Sequence, residues 1–319
     1  MSARSNSAQA LHDSLIVIDG HCDTLLTLVG QSYLDKNAAP RDFLVHGVGP
    51  ESGHMDLPRL LEAGVTCQTF ALFTDDDIVH DATAHSHRLI DALEKLYPQT
   101  DRFLPALQAA DIRRAKREGK VAAFLSIEGG EAIGESLAGL HSFYKRGVRM
   151  MGLTWNRRNA LARGVGVEGT DGLSDFGRSV IREMEKIGMI VDVSHLSDAA
   201  FDDTLAMAER PLVASHSNSR VLCAHRRNLT DDQVLRIAKT GGLVGLCFAG
   251  IFIDTEPAKV NFQGLMAHLD HLLALVGPEH VGLGSDFDGY TWKPRNGHLF
   301  LPRRPAYYRA PGSQGLEGD

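Results

Sequence analysis

The chain has few cysteines and no C-x-x-C pair: Cys22, Cys67, Cys223 and Cys247 stand at long intervals along 319 residues. This spacing argues against a disulfide framework and suits reduced thiols, so a cytoplasmic location is expected. Basic charge is not in excess either. The 33 Lys and Arg are outnumbered by 40 Asp and Glu, a formal net charge of −7, which offers no field for nucleic-acid phosphates or anionic lipid. Long apolar runs are missing too. The first, Leu15 to Ile18, follows a polar segment over 1–14 and is far too short for a signal core or a membrane span. No G-x-G-x-x-G turn follows that run, as a doubly wound nucleotide-binding sheet would usually show. There is also no G-x-S-x-G nucleophile elbow.

What is present is alternation. Short β-rich apolar runs at 15–18, 65–73, 121–127, 148–154, 189–193, 212–215, 243–248 and 281–284 are interleaved with segments of helical periodicity at 86–97, 174–187, 197–208, 230–239 and 262–276. In one of these Phe176, Val180, Ile181, Met184 and Ile187 share a stripe that Gly188 ends, and Thr230-Asp231-Asp232-Gln233 has the form of a capping box. Eight strand–helix repeats in a chain of this length predict an α/β fold, a (β/α)8 TIM barrel. The expected division is a polar extension over 1–14, one barrel domain over 15–289 and an irregular tail over 290–319. That tail, rich in Pro, Gly and Arg, shows no stripe for the last helix a complete barrel needs.

In a parallel barrel the residues that do chemistry follow the C-terminal ends of strands. Here five runs end in metal-ligand chemistry: His21-x-Asp23, Glu128-Gly129-Gly130, Asp192-x-x-His195, His216, and Asp286-Phe287-Asp288. His21 and Asp23 are two apart and project to one side of an extended chain; taken alone the pair also suits a capping aspartate beside a packed histidine. Glu128 ends a run apolar on both faces, where a carboxylate needs a partner cation or an Arg. Two histidines ending consecutive runs, His195 and His216, can reach one ion. Three His, one Asp and one Glu are too many for one tetrahedral zinc with an open position and suit two ions sharing a carboxylate. Arg227, or its neighbour Arg226, suits a substrate carboxylate because a guanidinium fork binds it bidentately; the alternative is a solvated loop charge. Cys22, between two expected ligands, packs to the other side of its strand.

Asp19-Gly20-His21-Cys22-Asp23, Ser126-Ile127-Glu128-Gly129-Gly130, Asp192-Val193-Ser194-His195, Ser215-His216-Ser217, Arg226-Arg227-Asn228 and Gly284-Ser285-Asp286-Phe287-Asp288-Gly289 occur in this order over roughly 15–290. Together they resemble the membrane (renal) dipeptidase family, the M19 metallopeptidases. The resemblance implies an amidohydrolase-type barrel with two Zn2+, His21 and Asp23 binding one, His195 and His216 the other, and Glu128 bridging them. It implies hydrolysis of dipeptides by a metal-bridging hydroxide, with Asp286 handling the proton and holding the substrate ammonium; Asp288 is the near neighbour that could be confused with it. It also implies a homodimer. Two departures stand out. Where the family has a carbonyl-binding histidine this chain has Trp155, leaving that task to a metal, to Asn156 or to nothing equivalent, and the family's closing helix is not recognisable.

The function expected from all this is a zinc-dependent dipeptidase with catalytic Glu128 and Asp286 and with Arg227, Trp155 and Asn156 at the substrate. The alternatives are an amide, lactam or N-acyl amino acid hydrolase on the same barrel, a metal-binding but catalytically impaired homologue, and a metal-free lyase or isomerase. Nucleic acid and membrane are not expected as partners.

Overall fold

In a computed structural model of the protein the described residues are 3–31, 39–47 and 53–290. Nine strands form one parallel sheet: β1 (Ile18–Asp19), β2 (Cys67–Phe73), β3 (Phe103–Pro105), β4 (Val121–Glu128), β5 (Val148–Gly152), β6 (Ile190–Asp192), β7 (Val213–Ala214), β8 (Leu243–Leu246) and β9 (Val281–Leu283). Eight of them close on themselves in the order β1-β2-β4-β5-β6-β7-β8-β9, β9 pairing back to β1 through Leu283 and Asp19. The expected (β/α)8 barrel is the fold observed. The short β3 is additional: it lies beside the first residues of β4, with Phe103 opposite Val121. At three residues it is too brief for periodicity to reveal.

The helices are α1 (Ala3–Ser14), α2 (Thr24–Leu28), α3 (Leu57–Glu62), α4 (Ala82–Glu94), α5 (Ala109–Glu118), α6 (Leu137–Lys145), α7 (Asp175–Ile187), α8 (Asp198–Met207), α9 (Asp231–Lys239) and α10 (Phe262–Val276). The polar 1–14 segment thus carries a helix over most of its length. Helix α7 forms where Ser174 accepts the N–H of Gly177, buries Val180, Ile181 and Met184 on one face, and stops at Gly188 with φ 79°. The capping box of α9 is present, Thr230 and Gln233 each taking the other's N–H. Helix α4 sits about a turn earlier than the periodicity suggested, because Tyr97 precedes Pro98 and is disfavoured in helical conformation. The expectation of an irregular tail without a closing helix falls on 291–319, outside the described residues.

Each of the eight apolar runs meets one closing strand, β1 only at Ile18, and several strands stop short of the run's end. The run over 148–154 is strand only to Gly152, and that over 212–215 only at Val213–Ala214. Beyond those points the chain leaves sheet geometry to aim side chains across the barrel mouth. His195, Asp286 and Asp288, with φ of 69°, 61° and 65°, are the non-glycine positive-φ residues recorded among the described residues, and all lie at this rim. Such conformations cost of order 1–3 kcal/mol each and persist where the surroundings over-determine them.

Candidate metal centre

Four strand ends place the expected ligands within reach of one another. His21 follows β1, Glu128 closes β4, His195 lies three residues past β6 and His216 two past β7. All are buried, as are Asp23 and Asp286. Glu128 lies between the two histidine groups. Its Oε2 is 3.4 Å from His21 Nε2, while its Oε1 is 2.9 Å from His195 Nε2 and 3.6 Å from His216 Nε2. Asp23 Oδ2 and Asp286 Oδ1 approach His21 Nε2 at 3.6 and 4.0 Å. Both His21–Glu128–His216 and His21–Asp23–Asp286 are tight enough to grip an ion.

Hydrogen bonding decides which atoms are free for a cation. His195 Nδ1 lies 2.8 Å from Asn156 Oδ1, which can only accept, so Nδ1 carries the proton. His216 Nδ1 likewise donates to Ser215 Oγ at 2.7 Å. Both Nε2 atoms are therefore bare lone pairs, and they face each other at 2.9 Å with Glu128 Oε1 beside them. Three acceptors converging without a proton among them is unfavourable unless a cation is shared. On the other side His21 Nε2 and Asp23 Oδ1 are buried with no hydrogen-bond partner among the described residues. This donor set, imidazole nitrogen and carboxylate oxygen with orphaned buried atoms at His21 and Asp23 and facing lone pairs at His195 and His216, fits divalent cations.

The electrostatics without a cation are strained in the same sense. Burial, reinforced by the Arg227 charge, pulls His195 down to about 3. Burial and the neighbouring His21 hold His216 well below the ordinary imidazole value. Burial, with Glu128 nearby, raises Asp23 to about 6. Burial also lifts Asp286 to about 8, against the pull of His21.

The remaining expected residues separate by what they touch. Asp288 is committed elsewhere: its Oδ2 accepts the Thr24 hydroxyl and its Oδ1 the His54 N–H, each at 2.7 Å, so Asp286 is the one that faces His21. Gly289 lets this turn pass close, since a Cβ there would strike the carboxylates of Asp23 and Asp286. Arg226 pairs with Glu168 near the surface. Arg227 is buried, holds the His216 carbonyl at 3.1 Å through Nη2, and keeps its Nε without a partner among the described residues. Asn156 contacts the centre through His195. Trp155 stands 6.2 Å from the His195 ring, edge-on to Phe73, with Arg157 over its face. Cys22 is fully buried in the core. Asp192, which the sequence set beside the ligands, turns instead to Ser194 and Ser215; it and Asp19 were legible only as parts of strings.

A sequence model of the membrane dipeptidase family, peptidase family M19, matches residues 5–297. Among solved structures, a metallo peptidase from Rhodobacter sphaeroides bound to a phosphinate mimic of the dipeptide L-Ala-D-Ala is 30% identical, with 87% of each chain covered and a TM-score of 0.78. The dipeptidase AC, a metallo peptidase of family M19, is 32% identical over 87% of this chain and 86% of its own, also with a TM-score of 0.78. The probable dipeptidase PvdM from Pseudomonas aeruginosa, 21% identical with a TM-score of 0.77, shares the fold.

Proposed function

Because the chain belongs to the membrane dipeptidase family, peptidase family M19, we propose that the barrel mouth is the active site of a zinc-dependent dipeptidase and that residues 15–289 form its catalytic domain. The observation that carries this reading is the division of Glu128, one oxygen toward His21 and the other toward His195 and His216. His21 and Asp23 would hold one ion, His195 and His216 the other, and Glu128 would bridge them. Bound there, the ion pair supplies an activated water at neutral pH and polarises the scissile carbonyl, with no covalent intermediate on the protein.

The chain's own residues do the rest. Asp286, buried beside His21, takes the proton and passes it to the departing amine, and it faces the substrate ammonium. Arg227 offers its guanidinium to the substrate's terminal carboxylate, desolvated enough for that charge pair to be strong. An acidic group at one end and a guanidinium at the other measure substrate length, which favours dipeptides over longer chains. Asn156 keeps the His195 lone pair aimed inward. Trp155 walls the site with an apolar face in place of the histidine that the resemblance expects. That replacement favours a second reading, hydrolysis of N-acyl amino acids or lactams at the same centre.

The relative from Rhodobacter sphaeroides, bound to a dipeptide mimic, supports the first reading. The four cysteines, unpaired and buried, suit the reducing cytoplasm, and no helix among the described residues is long and apolar enough to cross a membrane. A homodimer, part of the same proposal, is checked by light scattering. The deciding experiment is metal analysis with hydrolysis of free, N-acylated and C-amidated dipeptides before and after chelation. Zinc near two equivalents, with turnover of free dipeptides lost on chelation and restored by zinc, is expected. Turnover that survives chelation, or that prefers the acylated series, would sink it.

A further inference from the structure

We propose that two buried Asp–Ser staples, Asp192–Ser215 and Asp19–Ser285, act as positioning residues that each aim one half of the cation-binding set. This rests on the two-cation reading above.

Asp192 is the last residue of β6. Its Oδ1 accepts the backbone N–H of Ser194 and of Ser215, both at 3.0 Å, and its Oδ2 accepts the Ser215 hydroxyl at 2.5 Å. Asp19, the last residue of β1, repeats the pattern. Its Oδ1 takes the N–H of Ser285 at 2.8 Å and of His21 at 3.4 Å, and its Oδ2 takes the Ser285 hydroxyl at 2.5 Å. In the closed ring β1 and β6 stand opposite each other, four strands apart either way round. In both staples the aspartate ends a strand, and the serine it grips lies just past the adjacent strand, immediately before a site residue: Ser215 before His216, Ser285 before Asp286. The same aspartates lie two residues before His21 and three before His195. All four staple residues are buried.

The two staples act differently. A hydroxyl has one hydrogen, and the short contact commits that of Ser215 to Asp192. The same oxygen therefore accepts the Nδ1–H of His216 at 2.7 Å, which leaves Nε2 as the lone pair pointing at Glu128. Packing alone would leave that tautomer undetermined. The Asp19–Ser285 staple works through the backbone. It holds the segment after β9 against the one after β1, where Asp286 N donates to the His21 carbonyl at 3.1 Å. His21, Asp23 and Asp286 then share one side of Glu128.

The test strips metal from the full chain and titrates zinc against a chromophoric chelator for wild type, S215A, D192N, S285A and the S215A/S285A double variant. Wild type should bind two equivalents. S215A and D192N should weaken one of them about 10- to 100-fold, S285A the other, and the double variant both. Histidine 15N NMR of the metal-free protein should show the His216 proton on Nδ1 in wild type and a mixed tautomer in S215A, which a merely structural loss would not produce. S215T, which keeps the hydroxyl, should restore both readouts, and this rescue serves if S215A folds poorly. Two equivalents bound with unchanged affinity in every variant would overturn the staples and leave the two-cation reading standing. Fewer than two in wild type removes that reading and the staples with it.

Discussion

Glu128 ends a strand whose flanks are almost wholly buried, where an unpaired carboxylate would cost several kcal/mol. Its position between His21 on one side and His195 with His216 on the other suits it to share cations with them. Glu128→Gln removes the charge while keeping the shape, so hydrolysis should fall by at least about a thousandfold, and zinc bound should drop below two equivalents by metal analysis. Retained turnover would rule out the bridging role. Arg227→Met keeps much of the buried stem and loses the fork. Truncating one member of a desolvated charge pair costs about 2–5 kcal/mol, so KM for free dipeptides should rise at least about thirtyfold with kcat less affected. For C-amidated dipeptides KM should hardly move. An unchanged KM for the free dipeptide would take the carboxylate role from Arg227.

At the scale of elements, the caps and turns separate stability from function. Thr230→Ala breaks the capping box of α9, and Gly188→Ala forces a side chain into the φ 79° that ends α7. Each should cost about 1 kcal/mol in denaturant unfolding of the zinc-loaded protein while kcat/KM stays within about twofold. Gly289→Ala should behave in the opposite way. The added methyl presses on the carboxylates of Asp23 and Asp286, so zinc affinity and turnover should fall far more than the melting temperature does. These elements were largely visible in the chain. The stripe over Val180, Ile181 and Met184, the stop at Gly188 and the Thr230 cap are local signals, and α7 and α9 form where those signals lie. What local signals did not show is where strands end. Asp192, His195 and His216 look alike as polar residues after apolar runs, yet one grips serines and two face Glu128.

At the scale of the whole molecule the centre couples metal to protons. Burial raises Asp23 to about 6 and Asp286 to about 8, so the metal-free protein at pH 7 keeps a proton on Asp286. A cation held by the neighbouring ligands should displace it, so zinc affinity should rise with pH between about 6 and 8, with net proton release when zinc is added at pH 7. Titration calorimetry in buffers of differing ionisation enthalpy measures that release; no release would contradict the assignment. The same raised value has a consequence for folding. Between about pH 4 and pH 8 the native metal-free state holds a proton on Asp286 that the unfolded chain, with its ordinary carboxylate near 4, does not. Between pH 7 and 8 the stability of the metal-free protein should then fall with rising pH and level off once Asp286 has lost its proton, a slope that zinc flattens. His195 and His216, lowered in the fold, are largely neutral in both states over that window and add little.

The barrel class and the polar residues that follow each apolar run were determined by the sequence itself, because hydrophobic periodicity and capping are short-range and each apolar run had to be covered. Tertiary structure alone decided which atoms meet. That Asp286 and not Asp288 faces His21 depends on the Thr24 hydroxyl and the His54 backbone, brought from elsewhere in the chain to hold Asp288. Arg227 is buried against the His216 segment while Arg226 pairs with Glu168, and the lone pairs of His195 and His216 are set by Asn156 and Ser215. Apart from Ser215 and His216, which are chain neighbours, those contacts join separated segments through barrel closure, and no spacing along the chain encodes the angle at which a side chain enters the mouth.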